Sequence, residues 1–259
     1  MNLHYQFWVD YYKGLENSQE LSKDDTIENK NRALVDSTWE DSGKAIPAFG
    51  GMQTLTFRVM YPGLLMGLGY DHSAEPAEDA PKIALGMSLD YTTGLPYIPG
   101  SEVKGVLRSA FIRCRDFINC YMSQGEKEFS QLSDEEIHAL ELDIFGHTHP
   151  YDPNYALSQG VEEGRGKDVF FDAFPVRADK NRHLIGLETI TSHIPADPAY
   201  KGLTAINPIT LLKVMPGVEF LFRFRLTDSV IKDGRITVTA RQKLKLFEAV
   251  IADFGMGAK

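Results

Sequence analysis

The chain has 259 residues, a formal net charge of −9, 43% apolar and 24% charged residues, and two cysteines. That length builds one large domain or two small ones with a sizeable core, and it needs no disulfide staple. No apolar run approaches the ~18 residues of a membrane span, and the N-terminal MNLHYQFWVDYYKG lacks the basic flank and apolar stretch of a signal peptide. Cys114 and Cys120 lie six apart on one predicted helix and cannot easily reach each other, so a reduced, cytoplasmic protein is expected.

Residues 1–50 are polar with weak helical spacing, and they read as a helical extension on the surface of a domain spanning 51–259. In QTLTFRVMYPG, Leu55, Phe57, Val59 and Tyr61 alternate with Thr54, Thr56, Arg58 and Met60. This is a half-buried strand stopped at Pro62-Gly63. The glycine-rich, then acidic GLLMGLGYDHSAEPAEDAP is too polar to pack and too long for a plain connection, which marks a functional loop. KIALGMSLDYTT reads as a second extended segment.

From Gly100 the pattern turns helical, with Ser101 as cap. Val103, Leu107, Ala110, Cys114 and Phe117 form one apolar stripe, with Lys104, Arg108 and Arg115 beside it. A second helix starts at Ser133, with Glu136 completing a capping box, and ends near Gly146. DVFFDAFPV is a strand, and 177–208 reads as irregular. PITLLKVMPGVEFLFRFRLTD reads as a hairpin turning at Pro216-Gly217, with Val218, Phe220, Phe222, Phe224 and Leu226 alternating against Glu219, Leu221, Arg223 and Arg225. In the last helix Leu244, Phe247, Ile251 and Phe254 point inward, and Gly255 can end it in the left-handed conformation. Strand, long loop, helix, strands and helix make an α+β order.

Charge is segregated. Residues 10–44 carry nine acids and five bases, 71–79 four acids and no base, and 133–143 five acids and no base. Residues 213–245 carry eight bases and three acids, and 101–115 four bases and one acid. Such asymmetry can leave a basic groove on an acidic body, although ordinary solvated faces give the same counts.

The stretch YTTGLPYIPGSEVKGVLRSAF concentrates the signal. A helix N-terminus preceded by glycine suits an anion, and Lys104 and Arg108 one turn apart can line a phosphate track. A capped helix with surface cations reads the same way. His147 and His149, at i, i+2 without a cysteine partner, are a weak metal signal, so neither a metal nor another cofactor is expected. Asp71-His72 could act as an acid–base pair.

GLPYIPGSEVKGVLRSAF resembles the signature of the RAMP superfamily of CRISPR proteins. LLMGLGYDHSAEP and FGMGAK are similar to that family's glycine-rich loops. GKDVFFDAFPV, TITSHIPADPAY and INPITLLKVMPGVEFLFRFRL resemble the sixth RAMP subunit of the type III-B (Cmr-type) effector module. The resemblance covers roughly 50–259. It implies a ferredoxin-like (RRM-like) core with large loop insertions, which binds guide RNA (crRNA) beside other RAMP subunits and meets target RNA indirectly. By resemblance the RNA-binding positions are Gly67, Gly69, Gly100, Ser101, Lys104, Arg108, Gly255, Gly257 and Lys259. The family's last loop usually runs on to a Gly-aromatic-Gly and a closing strand, whereas this sequence stops at Lys259.

The resemblance implies a non-catalytic subunit for antiviral defence. The alternative is a RAMP endoribonuclease acting on guide precursor through His72 or His193, or on target RNA through Asp71. If Lys104 and Arg108 are only a solvated face, the basic stretch from Arg223 to Lys245 is the other route for RNA.

Overall fold

The computed structural model describes residues 2–13, 27–40, 50–67, 83, 86–124, 132–147, 164–194, 205–231 and 234–256. Helix α1 (Leu3–Tyr5) runs on into a π-helical turn, Gln6–Asp10, and is followed by α2 (Ile27–Val35) and strand β1 (Gln53–Arg58). Three helices come next: α3 (Gly100–Arg113), α4 (Arg115–Gln124) and α5 (Asp134–Phe145). Then come β2 (Val169–Phe170), β3 (Phe174–Arg177), β4 (Ile185–Ile194), β5 (Ala205–Val214), β6 (Glu219–Arg225), β7 (Ser229–Ile231), β8 (Ile236–Val238) and α6 (Ala240–Phe254). Mixed helix with antiparallel sheets is the α+β class that the element order predicts. No helix among the described residues is long and apolar enough to cross a membrane.

β6 is the centre of the main sheet. It pairs antiparallel with β1 on one edge and with β2 and β3 on the other. Its alternation sets two faces, since side chains along a strand point to opposite sides. Phe220, Phe222 and Phe224 are buried with Leu55 and Phe57 of β1 beside them. Helices cover this side: Phe247 of α6 meets Phe224 and Phe170, each at 5.8 Å, and Phe145 of α5 stacks on Phe170 at 5.5 Å. Phe111 of α3 closes edge-on against Phe145.

Several expectations are corrected by non-local pairing. β5 and β6 do not form a hairpin at Pro216-Gly217. β5 pairs with β4 along ten residues, from Ile185↔Val214 to Ile194↔Ala205, while β6 joins the main sheet. The stretch expected to be irregular is therefore a long two-stranded ribbon. DVFFDAFPV is two short strands, broken at 171–173, that share β6. KIALGMSLDYTT forms no strand among its described residues; only the isolated bridge Leu89↔Pro96 appears.

The helix after Gly100 is interrupted at Cys114 (φ −127°, ψ 47°), so the single stripe is split between two helices. Val103, Leu107 and Ala110 are buried as expected, and Phe111 joins them. α5 has the capping box of Ser133 and Glu136 and ends at Gly146 with φ 81°. α6 buries Leu246, Phe247, Val250 and Ile251, while Leu244 and Phe254 lie half-buried at its border.

The N-terminal segment supplies core rather than a surface layer. Phe7, Tyr11, Tyr12 and Leu34 are buried in the same cluster as the sheet. The Tyr11 hydroxyl donates to Asn31 Oδ1 (2.8 Å) and accepts from the Ile83 N–H (3.0 Å), tying three distant segments together. Burial pushes that phenol above its ordinary range, offset in part by the Ile83 bond.

Candidate nucleic-acid interface

The loop before α3 is built by Asp90. Its Oδ2 accepts from Thr92 Oγ1 (2.8 Å), Thr93 N (2.6 Å) and Thr93 Oγ1 (2.6 Å). Burial alone would raise this carboxyl, but the threonine hydrogen bonds outweigh it and hold Asp90 below the ordinary carboxylate range. Ile98 bridges Ala173, which delivers the chain to Pro99, the N-cap of α3.

Gly100 then starts the helix, and the close approach it permits within the described residues is to β2. A Cβ at this position would overlap the Phe170 carbonyl and the Phe171 backbone. The glycine lets α3 sit directly on β2. Its N–H donates to Asp172 Oδ1 (2.7 Å), so the anion at this helix N-terminus is the protein's own carboxylate. Asp172 caps the helix, not Ser101, which is exposed.

Lys104 and Arg108 also separate. Arg108 Nε donates to Glu141 Oε1 at 2.8 Å, with the side chains 13% and 5% exposed. Glu141 Oε2 takes His138 Nδ1 at 3.1 Å. Arg108 is thus spent between α3 and α5, and Lys104 is the half-buried cation left on that face. Gly67 (φ 72°) is likewise a close approach within the chain, against the Met87–Ser88 backbone. Gly255 ends α6 with φ 71° and open space around its Cα. Gly69, Gly257 and Lys259 lie outside the described residues, as do Asp71, His72 and His149. His147 is exposed and its N–H bonds Gly164 O. The backbone of His193 pairs with Ile206 in the ribbon.

The basic stretch 213–245 does not make one groove. Lys213 pairs with Glu188 at the root of the ribbon, and Lys243 is fully buried on Asp168. Arg223 and Arg225 instead stand on the sheet face turned away from the helices. Directly paired residues share a face. The register therefore gathers Thr54, Thr56 and Arg58 of β1, Glu219, Leu221, Arg223 and Arg225 of β6, and Phe174 of β3. Thr54, Thr56, Arg58, Arg177 and Arg225 are exposed.

This face has a defined chemistry. Arg58 (2.6 Å) and Arg177 (3.4 Å) converge on Glu219 Oε1. Two same-face steps further along β6, the Arg223 guanidinium lies 5.9 Å from the centre of the Phe174 ring. Tyr97 stacks on Phe174 with centroids 5.8 Å and planes 19° apart. Among the described residues, four arginines and one glutamate on a face that also carries an aromatic pair suit a phosphate backbone with unstacked bases. The alternation puts Arg58, Arg223 and Arg225 on the polar phase. Tyr97 and Phe174 lie in stretches singled out in the sequence, but only the register brings them and Arg177 to this face.

The sequence model of the RAMP superfamily matches residues 56–259. The chain belongs to the RAMP superfamily. No curated protein matches it. Among solved structures, this RAMP chain is similar to a chain of the type III-B Cmr-beta complex bound to cognate target RNA (23% identity, TM-score 0.42, 67% of this chain and 45% of that one). It is also similar to Cmr6 from Pyrococcus furiosus (18%, TM-score 0.34, 80% and 94%). A third similar chain is in the Csm–crRNA–target RNA ternary complex of a type III-A system (15%, TM-score 0.23, 68% and 43%). The RAMP chain spans under half the length of the Cmr-beta chain.

Proposed function

We propose that this RAMP protein is a non-catalytic guide-RNA-binding and assembly subunit of a type III-B (Cmr-type) CRISPR effector complex. In this reading the four-stranded sheet with α3, α5 and α6 on one face is the ferredoxin-like core. The observation that carries the proposal is the sheet face left uncovered by the described residues, which carries Arg58, Arg177, Arg223 and Arg225, with Arg223 against the Tyr97–Phe174 stack. Family membership supports it, as do the type III CRISPR complexes among the similar structures. A guide must vary in sequence while its protein does not, so binding rests on phosphate charge and base stacking rather than base edges. The Cmr6-like role, other RAMP subunits as neighbours and the lack of chemistry all belong to this proposal.

The test is to recover the chain with its RNA and sequence that RNA. Guides that share one repeat-derived end are the expected outcome, and a bulk sample of cellular RNA would overturn the reading. Incubation with guide or target RNA should leave both intact. Cleavage that disappears in His72→Ala or Asp71→Ala would make the protein an endoribonuclease instead.

A further inference from the structure

Beside the open sheet face lies a cavity of about 470 Å³, within the size of small-ligand sites, lined by Trp39, Glu40, Val176, Arg177, Ala178, Asp179 and Arg182. Its floor is the turn after β3. There the Asp179 carboxylate is used internally, accepting from Asn181 N (2.9 Å) and His183 N (2.7 Å). Its wall is the segment carrying Trp39, whose backbone N–H donates to Arg182 O at 2.8 Å and whose half-buried side chain packs against the core.

Arg182 has φ 68° and is the only non-glycine with positive φ among the described residues. That conformation suits glycine or asparagine, and Asn181 stands one position earlier. An arginine held there points to a use for its side chain. It pairs with Glu40, and the two side chains are 54% and 79% exposed. An exposed pair of this kind is weak, so the carboxylate can be exchanged for another anion. Arg177 belongs to this cavity and, through Glu219, to the sheet face, so the two surfaces are continuous.

We infer that this cavity holds one nucleotide of the bound RNA, its base against Trp39 and its phosphate between Arg177 and Arg182 in place of Glu40. The inference rests on the RNA-binding reading above. An indole beside two guanidinium groups matches an unstacked base with its phosphate.

Trp8 and Trp39 are the two tryptophans of the chain. Trp8→Phe therefore makes Trp39 the sole indole reporter. In that background, a fluorescein-labelled oligouridylate is followed by anisotropy and the unlabelled oligonucleotide by tryptophan emission. The inference expects saturable quenching of Trp39 at the midpoint of the anisotropy change. Arg177→Ala/Arg182→Ala, both exposed, should abolish the quench. Trp39→Ala should lose about fivefold or more in affinity, with Trp39→Phe much closer to wild type. RNA binding with unchanged Trp39 emission would overturn the inference alone. No binding by anisotropy would overturn both the inference and the reading beneath it.

Discussion

Lys243 and Asp168 form an ion pair with both side chains fully buried, Nζ to Oδ2 at 2.7 Å. The second carboxylate oxygen accepts from Thr227 N (2.9 Å) and Thr227 Oγ1 (3.3 Å). The pair fastens the first turn of α6 to the entry of β2. Removing one partner leaves the other as an uncompensated buried charge. Lys243→Met alone should cost about 3–5 kcal/mol in chemical denaturation. Adding Asp168→Asn should recover part of that loss, giving a coupling of about 0.5–3 kcal/mol. Strictly additive single and double variants would mean that the pair is not held as described.

Lys104 and Arg108 should behave differently from each other. Arg108→Ala removes the guanidinium from Glu141 between α3 and α5, leaving His138 as a partner, and should destabilise the fold by about 1–3 kcal/mol. Lys104→Ala should stay within about 0.5 kcal/mol of wild type. Thermal or urea unfolding of the two variants decides this. Equal stabilities with equal losses of RNA affinity would return both residues to a shared phosphate track.

Two glycines of α3 offer a paired test. Gly100→Ala drives a methyl into the Phe170 carbonyl and should destabilise by about 1–3 kcal/mol. Gly105 has nothing within 4 Å of an added Cβ, and Gly105→Ala should stabilise the helix by about 0.5–1 kcal/mol. The same sign for both substitutions would contradict the packing of α3 on β2.

For the sheet face, Arg223→Ala/Arg225→Ala should weaken binding of unrelated single-stranded RNAs about equally. The dependence of log affinity on log salt should flatten by about 0.7 for each phosphate that is no longer neutralised. Circular dichroism should remain that of wild type. An unchanged salt slope would remove this face from the RNA path.

Features set by near neighbours are legible in the sequence. α5 is bounded by Ser133, Glu136 and Gly146 because a capping box and a terminal glycine act within one turn. The phase of β6 is readable because alternation is local. Pairing is not: Pro216-Gly217 reverses the chain equally well within one sheet or between two, and β5 chooses β4 over β6. The glycine rule at Gly100 correctly asks for space, but only the fold shows that Phe170, far along the chain, fills it. Arg108 likewise finds Glu141 across 33 positions, and no periodicity announces that. Tyr97 and Phe174 stand in stretches that the sequence singles out, but their meeting with each other and with Arg177 on one face is set by pairing and is not legible, for the same reason.

The register of β1 on β6, from Gln53↔Phe224 to Arg58↔Glu219, joins residues as many as 171 apart. During synthesis β1 leaves the ribosome long before its only described sheet partner exists. The β4–β5 ribbon closes a much shorter loop and can assemble while the ribosome is still translating β6. Leu55 and Phe57 have no described strand partner until residues 219–225 emerge, so the first strand of this sheet to be made is among the last to be paired.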